Sequence, residues 1–220
     1  GESKKTDLDL NGQTIISLAK KDNKIILGLS DLSLKELDLT KGSITALAFP
    51  NKNLQSLASL ALYNNNLYVL DSKAGQIWKY PPGEKGFNEP KAWLKTTNPS
   101  LLATTILGID GSIYAISPQG IVQKFDQGRP SAFTAFHSPA PVNVSKFWTK
   151  TASKFMYFLD APSGRLIVLS KETGKPLIQY TAPQVVNALD FVVEENAKKI
   201  YLLLPEGVFS FEATHLAKSQ

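Results

Sequence analysis

Short alternating runs of apolar and polar residues, each broken by a turn, recur along this chain. The stretch LYVLDSKAGQIWKY, residues 67–80, places β-forming residues on both sides of an Asp-to-Gly break, which predicts two strands joined by a tight turn. The same pattern returns at 113–125, 156–169 and 200–211, and more weakly at 25–39. The marker tyrosines of the four clear copies are spaced 43 to 46 residues apart: Tyr68, Tyr114, Tyr157 and Tyr201. A steady period of this length, built from strands, predicts the blades of a β-propeller.

Each copy extends into a unit of four strands. An apolar run ended by a turn precedes every copy, and a further run follows four of the five copies. Residues 6–10, TDLDL, alternate without a hairpin of their own, and we expect them to supply the missing outer strand of the last blade. The sequence therefore predicts a single all-β domain over 1–220, a β-propeller of five blades with four antiparallel strands each, closed by the N-terminal strand. The predicted blades span 13–50, 54–97, 101–137, 143–182 and 185–212, with 6–10 completing the last.

Two alternatives to a closed ring of five blades stay open. The chain could be part of a longer ring, and its leading Gly1 resembles a cleavage remnant. Short strands with frequent turns also suit a β-sandwich of two sheets. The regular period favours the propeller.

Composition is typical of a compact domain with a substantial core. The chain is 43% hydrophobic and 20% charged, and it has no low-complexity tract. No apolar run is long enough for a membrane helix, so we expect no direct membrane insertion by this segment. Cysteine is absent, which excludes disulfides and thiolate chemistry.

The net charge of +5 does not indicate a nucleic-acid-binding surface. The lysines are scattered along the chain, and only two arginines are present, Arg129 and Arg165. A nucleic-acid surface needs a contiguous basic stripe with arginines and stacking aromatics. We therefore expect no nucleic-acid partner.

The sequence contains few residues suited to catalysis or metal binding. His137 and His215 are the only histidines, so a multi-histidine zinc site is excluded. Phosphate-binding loops and calcium loops are absent as well. Asp71 and Asp160 follow strands directly, and we expect each to accept hydrogen bonds from the backbone of its own turn. These patterns predict no catalytic residue, no metal and no cofactor.

Residues 67–80 and 156–169 share one motif. It consists of an apolar residue, Tyr, a second apolar residue, Leu-Asp and then a turn that contains glycine. This motif resembles the blades of NHL, YWTD and YVTN propellers. The resemblance covers most of the chain and implies the fold, with little functional specificity. The Trp-Asp and Gly-His pairs of WD40 blades are missing. The segment 169–180 is similar to the turn of pyrroloquinoline-quinone propellers, but it occurs once and lacks the docking tryptophan.

Loops between successive blades share a face with the turns inside the repeated motif, and each contains proline. Proline restricts the loop, so this face is pre-shaped for recognition. The predicted ligand-binding residues on it are Asn51, Asn53, Asn98, His137, Asp160 and Gln184. The insertion 80–93 presents Phe87 as a possible partner contact, or else folds back onto Trp93 as a compact loop.

These observations favour a non-catalytic binding or scaffold propeller that recognises a protein, peptide or glycan through one loop face. We expect a monomeric sensor or adhesion module of a larger bacterial protein, in an extracytoplasmic location. The alternative is a metal-dependent small-molecule hydrolase or lactonase of propeller fold. That alternative would need converging carboxylates, for which the sequence offers Asp110, Asp190 and Glu206.

Overall fold

Strands are the dominant regular element of the protein. The computed structural model describes residues 8–135, 139–141 and 143–217. Within these residues, five main antiparallel sheets follow one another along the chain, four of them with four strands and the last with three, and a two-stranded hairpin forms a sixth, small sheet. This arrangement confirms the all-β class and the five-bladed β-propeller predicted from the period. No helix in the described residues is long and apolar enough to cross a membrane.

The sheets are built from strands that are consecutive in the chain, except that a two-stranded hairpin separates the third and fourth strands of the second sheet. The first sheet has β1 (Ile15–Lys21), β2 (Lys24–Leu29), β3 (Leu34–Asp38) and β4 (Ser43–Ala46). The second sheet has β5 (Ser59–Tyr63), β6 (Asn66–Asp71), β7 (Gln76–Tyr80) and β10 (Lys91–Ala92), and a small hairpin precedes its last strand, β8 (Pro82–Gly83) with β9 (Gly86–Phe87). The third sheet has β11 (Ile106–Ile109), β12 (Ile113–Ile116), β13 (Val122–Asp126) and β14 (Arg129–Ser131).

The remaining strands form the fourth and fifth sheets. The fourth has β15 (Lys146–Trp148), β16 (Phe155–Asp160), β17 (Arg165–Ser170) and β18 (Pro176–Thr181). The fifth has β19 (Asp190–Glu194), β20 (Lys199–Leu204) and β21 (Gly207–Glu212). In the described part of the chain, four short 3-10 helices lie between strands or after the last one: Pro99–Ala103, Ala161–Ser163, Pro183–Asn187 and Thr214–Leu216.

The chain divides into two compact units, and each has its own core. The first unit comprises the described residues up to Leu107 together with 127–129, and the second comprises 108–126 and the described residues from Pro130 onward. Buried side chains of the first core include Ile26, Leu34, Leu60, Leu67 and Val69. Those of the second include Tyr157, Leu166, Val168, Ile200 and Leu202. The marker tyrosine of the fourth sheet is thus a core residue, as burial against neighbouring strands requires.

The glycine of the repeated turn is required by close packing as well as by backbone geometry. Gly75 has φ of +62°, which favours glycine. A Cβ atom at this position would lie 2.8 Å from the carbonyl oxygen of Asn98. The turn of the second sheet and the loop after β10 therefore approach each other too closely for a side chain.

The outer strand of the third sheet begins earlier than the sequence pattern predicts. The run SAFTAF, residues 131–136, is predicted as this strand, whereas β14 spans Arg129–Ser131. Gln127 and Gly128 both have positive φ, and they reverse the chain directly after β13. Pairing therefore starts at Arg129, and residues 132–135 have no regular structure. Phe136 lies outside the described residues.

The strand predicted to close the ring falls partly outside the described residues. Residues 6 and 7 are not described, and Leu8–Leu10 form no strand. Lys35 Nζ of the first sheet donates to the Asp9 carbonyl oxygen at 3.1 Å. The pairing of 6–10 with the last blade stays a prediction.

Candidate binding loops

Connection loops lie between successive sheets at 47–58, 93–105 and 182–189, and the described residues of the loop 132–145 lie between the third and fourth sheets. These loops contain Asn51, Asn53, Asn98 and Gln184 of the predicted ligand-binding residues, while Asp160 ends β16. In the second unit, the turn after Asp160 and the 3-10 helix that carries Gln184 pack together. The structure therefore brings these two predicted residues into neighbouring elements.

Asp71 fixes a connection loop to the sheet that follows it. Its carboxylate is fully buried, and it accepts hydrogen bonds from the backbone nitrogens of Gln55 and Ser56 at 2.9 Å each. It also accepts from Ala74 N at 3.2 Å and from Trp78 Nε1 at 3.2 Å. The hydrogen bond predicted from the turn's own backbone is the one that Ala74 N donates. The other two backbone donors, Gln55 and Ser56, belong to the preceding loop, so the carboxylate mainly holds that loop in place.

Asp160 occupies the equivalent position in the fourth sheet and forms a buried ion pair. Arg165 Nε lies 3.0 Å from Asp160 Oδ2, and both side chains are almost fully buried. Asn143 N donates to Asp160 Oδ1 at 2.9 Å. The same guanidinium donates to the Ala140 carbonyl oxygen at 2.6 Å. Asp160 therefore anchors the loop 132–145 and has no exposed surface for a ligand.

Asn51 and Asn98 also make structural hydrogen bonds within the first unit. Asn51 Nδ2 donates to the Leu32 carbonyl oxygen at 2.9 Å. Asn98 Oδ1 accepts from Ser100 N at 3.0 Å and caps the 3-10 helix Pro99–Ala103. Both amides hold connection loops in place, which is a sufficient reason for asparagine at these positions.

Asn53 and Gln184 are exposed on their loops, as recognition residues would be. His137 lies outside the described residues. Ligand binding by these three residues stays a prediction.

Phe87 is not presented to solvent, so its predicted role as a partner contact is corrected. Its side chain is 5% exposed and belongs to the core of the first unit. Phe87 N donates to the Ala48 carbonyl oxygen at 2.8 Å, and Ala48 N donates to Lys85 O at 2.9 Å. A Cβ on Gly86 would clash with that same Ala48 oxygen. The insertion therefore folds against the loop after the first sheet, and burial of the aromatic ring follows.

Two connection loops share a feature that the search for polar residues missed. Each contains a 3-10 helix that starts with proline, NPSLLA at 98–103 and APQVVN at 182–187. In each helix one apolar side chain is fully buried, Leu101 or Val185, and the next is exposed. Leu102 is 69% exposed and Val186 is 53% exposed. The repeated pattern of proline, a polar residue and two apolar residues was the sequence signal for this arrangement.

A cavity of about 840 Å³ in the second unit is lined in part by the ion pair of Asp110 and Lys171. Lys171 Nζ lies 3.0 Å from Asp110 Oδ2, and it also donates to the carbonyl oxygens of Lys150 and Thr151 at 3.0 and 3.3 Å. Thr149 Oγ1 donates to the same carboxylate at 3.0 Å. Burial raises the pKa of the nearby Tyr114 hydroxyl. These contacts hold the loop after β15 against the third sheet's first turn.

The carboxylates that a hydrolase would need do not converge in the part of the chain that the structure describes. Asp190 is half-exposed and lies 3.6 Å from Lys146 Nζ. Glu206 is exposed in the turn between β20 and β21. No three His, Cys, Asp or Glu side chains group there in a way that could hold a metal ion.

His215 joins two tyrosine hydroxyls and attaches the last 3-10 helix to the fourth sheet. Its Nε2 lies 2.9 Å from the Tyr157 hydroxyl, and its Nδ1 lies 2.7 Å from the Tyr180 hydroxyl. Tyr157 donates onward to Glu195 Oε1 at 3.4 Å, and Lys150 Nζ lies 3.2 Å from Glu195 Oε2. Burial lowers the pKa of His215, and the charge of Glu195 opposes this effect. The neutral imidazole therefore fits this network, with one nitrogen donating and the other accepting.

Comparison with known proteins supports the fold. No protein-family model matches the sequence, and no similar sequence was found among curated proteins. A chain in the crystal structure of a nidogen/laminin complex is similar over 95% of this chain and 80% of its own length, with 14% identity and a TM-score of 0.63. The computationally designed Ika8 protein is similar over 90% of this chain and 70% of its own length, with 13% identity and a TM-score of 0.58. At such low identity, these similarities show the β-propeller fold alone.

Proposed function

We propose that this chain is a non-catalytic binding module that recognises a protein partner through its connection loops, as the sensor or adhesion module of a larger extracytoplasmic bacterial protein. The observation that carries the proposal is the pair of proline-started 3-10 helices, each with one buried and one exposed apolar residue. The buried residue fixes the helix to its sheet, and the exposed residue is then held on a rigid support. Rigid presentation reduces the entropy lost on binding.

The exposed side chains favour a protein or peptide over a glycan. Leu102 and Val186 present aliphatic surface, which gains free energy when it is removed from water. Sugars offer mostly hydroxyl groups to such a surface. The exposed amide of Gln184, in the same 3-10 helix as Val186, would supply hydrogen bonds beside that apolar side chain. A structural neighbour that comes from a nidogen/laminin complex is consistent with protein binding by this fold.

Paired substitutions with a matched control test the proposal. We expect the Leu102→Asp, Val186→Asp double variant to lose at least about tenfold in the capture of partner protein from an extract of the source cells, because carboxylates would replace the apolar contacts. The control is Leu39→Asp, Leu177→Asp, which changes two residues of 51% exposure outside the connection loops. Both variants should keep the stability of the parent to within about 0.5 kcal/mol.

Capture is measured by quantitative mass spectrometry on the immobilised protein, and stability by thermal unfolding. Equal capture by the double variant and the parent would contradict the proposal. An equal loss in both variants would contradict it as well.

A further inference from the structure

The last 3-10 helix, Thr214–Leu216, is attached to the fourth sheet through side chains. The backbone nitrogens of residues 216 and 217 donate within the segment itself, at 2.9 and 3.2 Å. The His215 imidazole lies between the hydroxyls of Tyr157 and Tyr180, at 2.9 and 2.7 Å. A short segment whose backbone hydrogen bonds are local opens at low cost. Its attachment therefore depends largely on the contacts of His215.

Aromatic rings pack around the His215 imidazole and remove much of it from water. The ring centroids of His215 and Phe155 lie 4.9 Å apart with the planes nearly perpendicular. The Tyr157 and Tyr180 ring centroids lie 5.5 and 5.8 Å from that of His215. Burial of this kind disfavours the charged form of the imidazole and lowers the pKa of His215.

The directions of the hydrogen bonds also favour the neutral imidazole. The Tyr157 hydroxyl donates to Glu195 Oε1 at 3.4 Å, so it accepts from His215 Nε2. His215 Nδ1 then accepts from the Tyr180 hydroxyl. A protonated imidazole donates from both nitrogens and accepts at neither. The Tyr180 hydroxyl would have to turn to Thr214 Oγ1, at the longer distance of 3.3 Å.

The charged and titratable groups that face the imidazole compensate poorly for a proton on it. Glu195, in the turn between β19 and β20, opposes the effect of burial. Its carboxylate already accepts from Ser153 Oγ at 2.6 Å and lies 3.2 Å from Lys150 Nζ. Strands β16 and β18 present the phenols of Tyr157 and Tyr180, which are uncharged at neutral and acidic pH. A protonated imidazole is therefore more stable in water than in this site.

We propose that His215 is an acid-sensitive latch. At neutral pH the uncharged imidazole holds the last 3-10 helix on the fourth sheet, and in mild acid its protonation releases this helix while the fourth and fifth sheets stay folded. The released imidazole binds a proton near its ordinary pKa of about 6.5, so the latched fraction decreases as the pH falls below that value. Release uncovers the rings of Phe155, Tyr157 and Tyr180. The latch is independent of the recognition proposed for the connection loops.

NMR of the protein labelled with ¹⁵N and ¹³C, between about pH 4 and 8, tests the latch. We expect the nuclear Overhauser effects between the His215 ring and the rings of Phe155 and Tyr157 to be lost as the imidazole is protonated. The amides of residues 214–217 should move at the same pH to the shifts of an unfolded segment, while the amides of Ile167 and Ile178 in the fourth sheet stay in place. Overhauser effects that persist after the imidazole has titrated would overturn the inference. A loss of the sheet signals together with those of the helix would overturn it as well.

Two variants should move the midpoint of release in opposite directions. Glu195→Gln removes the carboxylate that opposes burial, so the helix should be released at lower pH. Tyr180→Phe removes the hydroxyl that donates to the neutral imidazole, so release should occur at higher pH. In both variants the midpoint should follow the pKa of His215, which is read from the carbon shifts of its ring.

The control is His215→Gln, whose side chain is neutral at every pH. The amides of residues 214–217 should then show no transition between about pH 4 and 8. A transition that persists in this variant would assign the release to another group and overturn the inference. Midpoints that do not follow the imidazole pKa in the other two variants would have the same meaning.

Discussion

Single side chains at strand ends hold the connection loops, and their removal should be costly. Asp160 is fully buried beside Arg165, whose guanidinium also contacts the loop 132–145 through Ala140. Asp160→Asn would leave the arginine buried without its counter-charge. We expect a loss of about 3–5 kcal/mol in the free energy of unfolding, measured by chemical denaturation.

The exposed pair of Asp190 and Lys146 supplies the control for this prediction. Asp190→Asn should change stability by less than about 1 kcal/mol, because exposed pairs contribute little. Equal losses of unfolding free energy in the Asp160 and Asp190 variants would show that the buried pair contributes no more to stability than the exposed pair.

His215 should make the stability of the protein depend on pH. Burial lowers its pKa in the folded state below the ordinary value near 6.5, so the unfolded chain binds the proton more readily. The free energy of unfolding that the neutral His215 contributes is therefore fully present above about pH 6.5 and decreases as the pH falls below that value. His215→Gln should flatten this part of the stability profile, measured by denaturation between about pH 5 and 8. An unchanged profile in this variant would assign the pH dependence to other groups.

At the scale of elements, adjacent residues of one 3-10 helix should behave very differently. Leu101 is fully buried and Leu102 is 69% exposed. Leu101→Ala should lower the free energy of unfolding by about 2–5 kcal/mol, because it removes buried methyl groups and leaves a cavity. Leu102→Ala should change it by less than about 0.5 kcal/mol. Denaturant midpoints of the two variants test this, and similar values for both would contradict the described helix.

The sequence predicted hairpins more reliably than loops, and the reason is the range of the interactions. The strands around Tyr68 and Tyr157 follow from alternation and turn residues, which are local signals. The early start of β14 depends on positive φ at Gln127 and Gly128, where only the glycine is an obvious turn residue. Burial of Phe87 depends on Ala48, which is distant in sequence and could not be found from a local pattern.

At the scale of the whole molecule, a regular period was sufficient to predict the fold, while the candidate site needed the structure. Repetition constrains architecture because each copy packs in the same way. It does not determine which side chains recognise a partner. Asn51, Asn98 and Asp160 were selected as polar loop residues, and all three proved to have structural hydrogen bonds. Leu102 and Val186 became candidates only when their exposure was known.

The alternation of a buried and an exposed residue in the 3-10 helices has a consequence for evolution. Mutations at the exposed Leu102 and Val186 should have little effect on folding, so the recognition proposed for them can change while Leu101 and Val185 stay buried. Selection for a new partner can therefore act on these loops without crossing unstable intermediates. The chain shares the β-propeller fold with a chain of a nidogen/laminin complex although only 14% of the residues are identical.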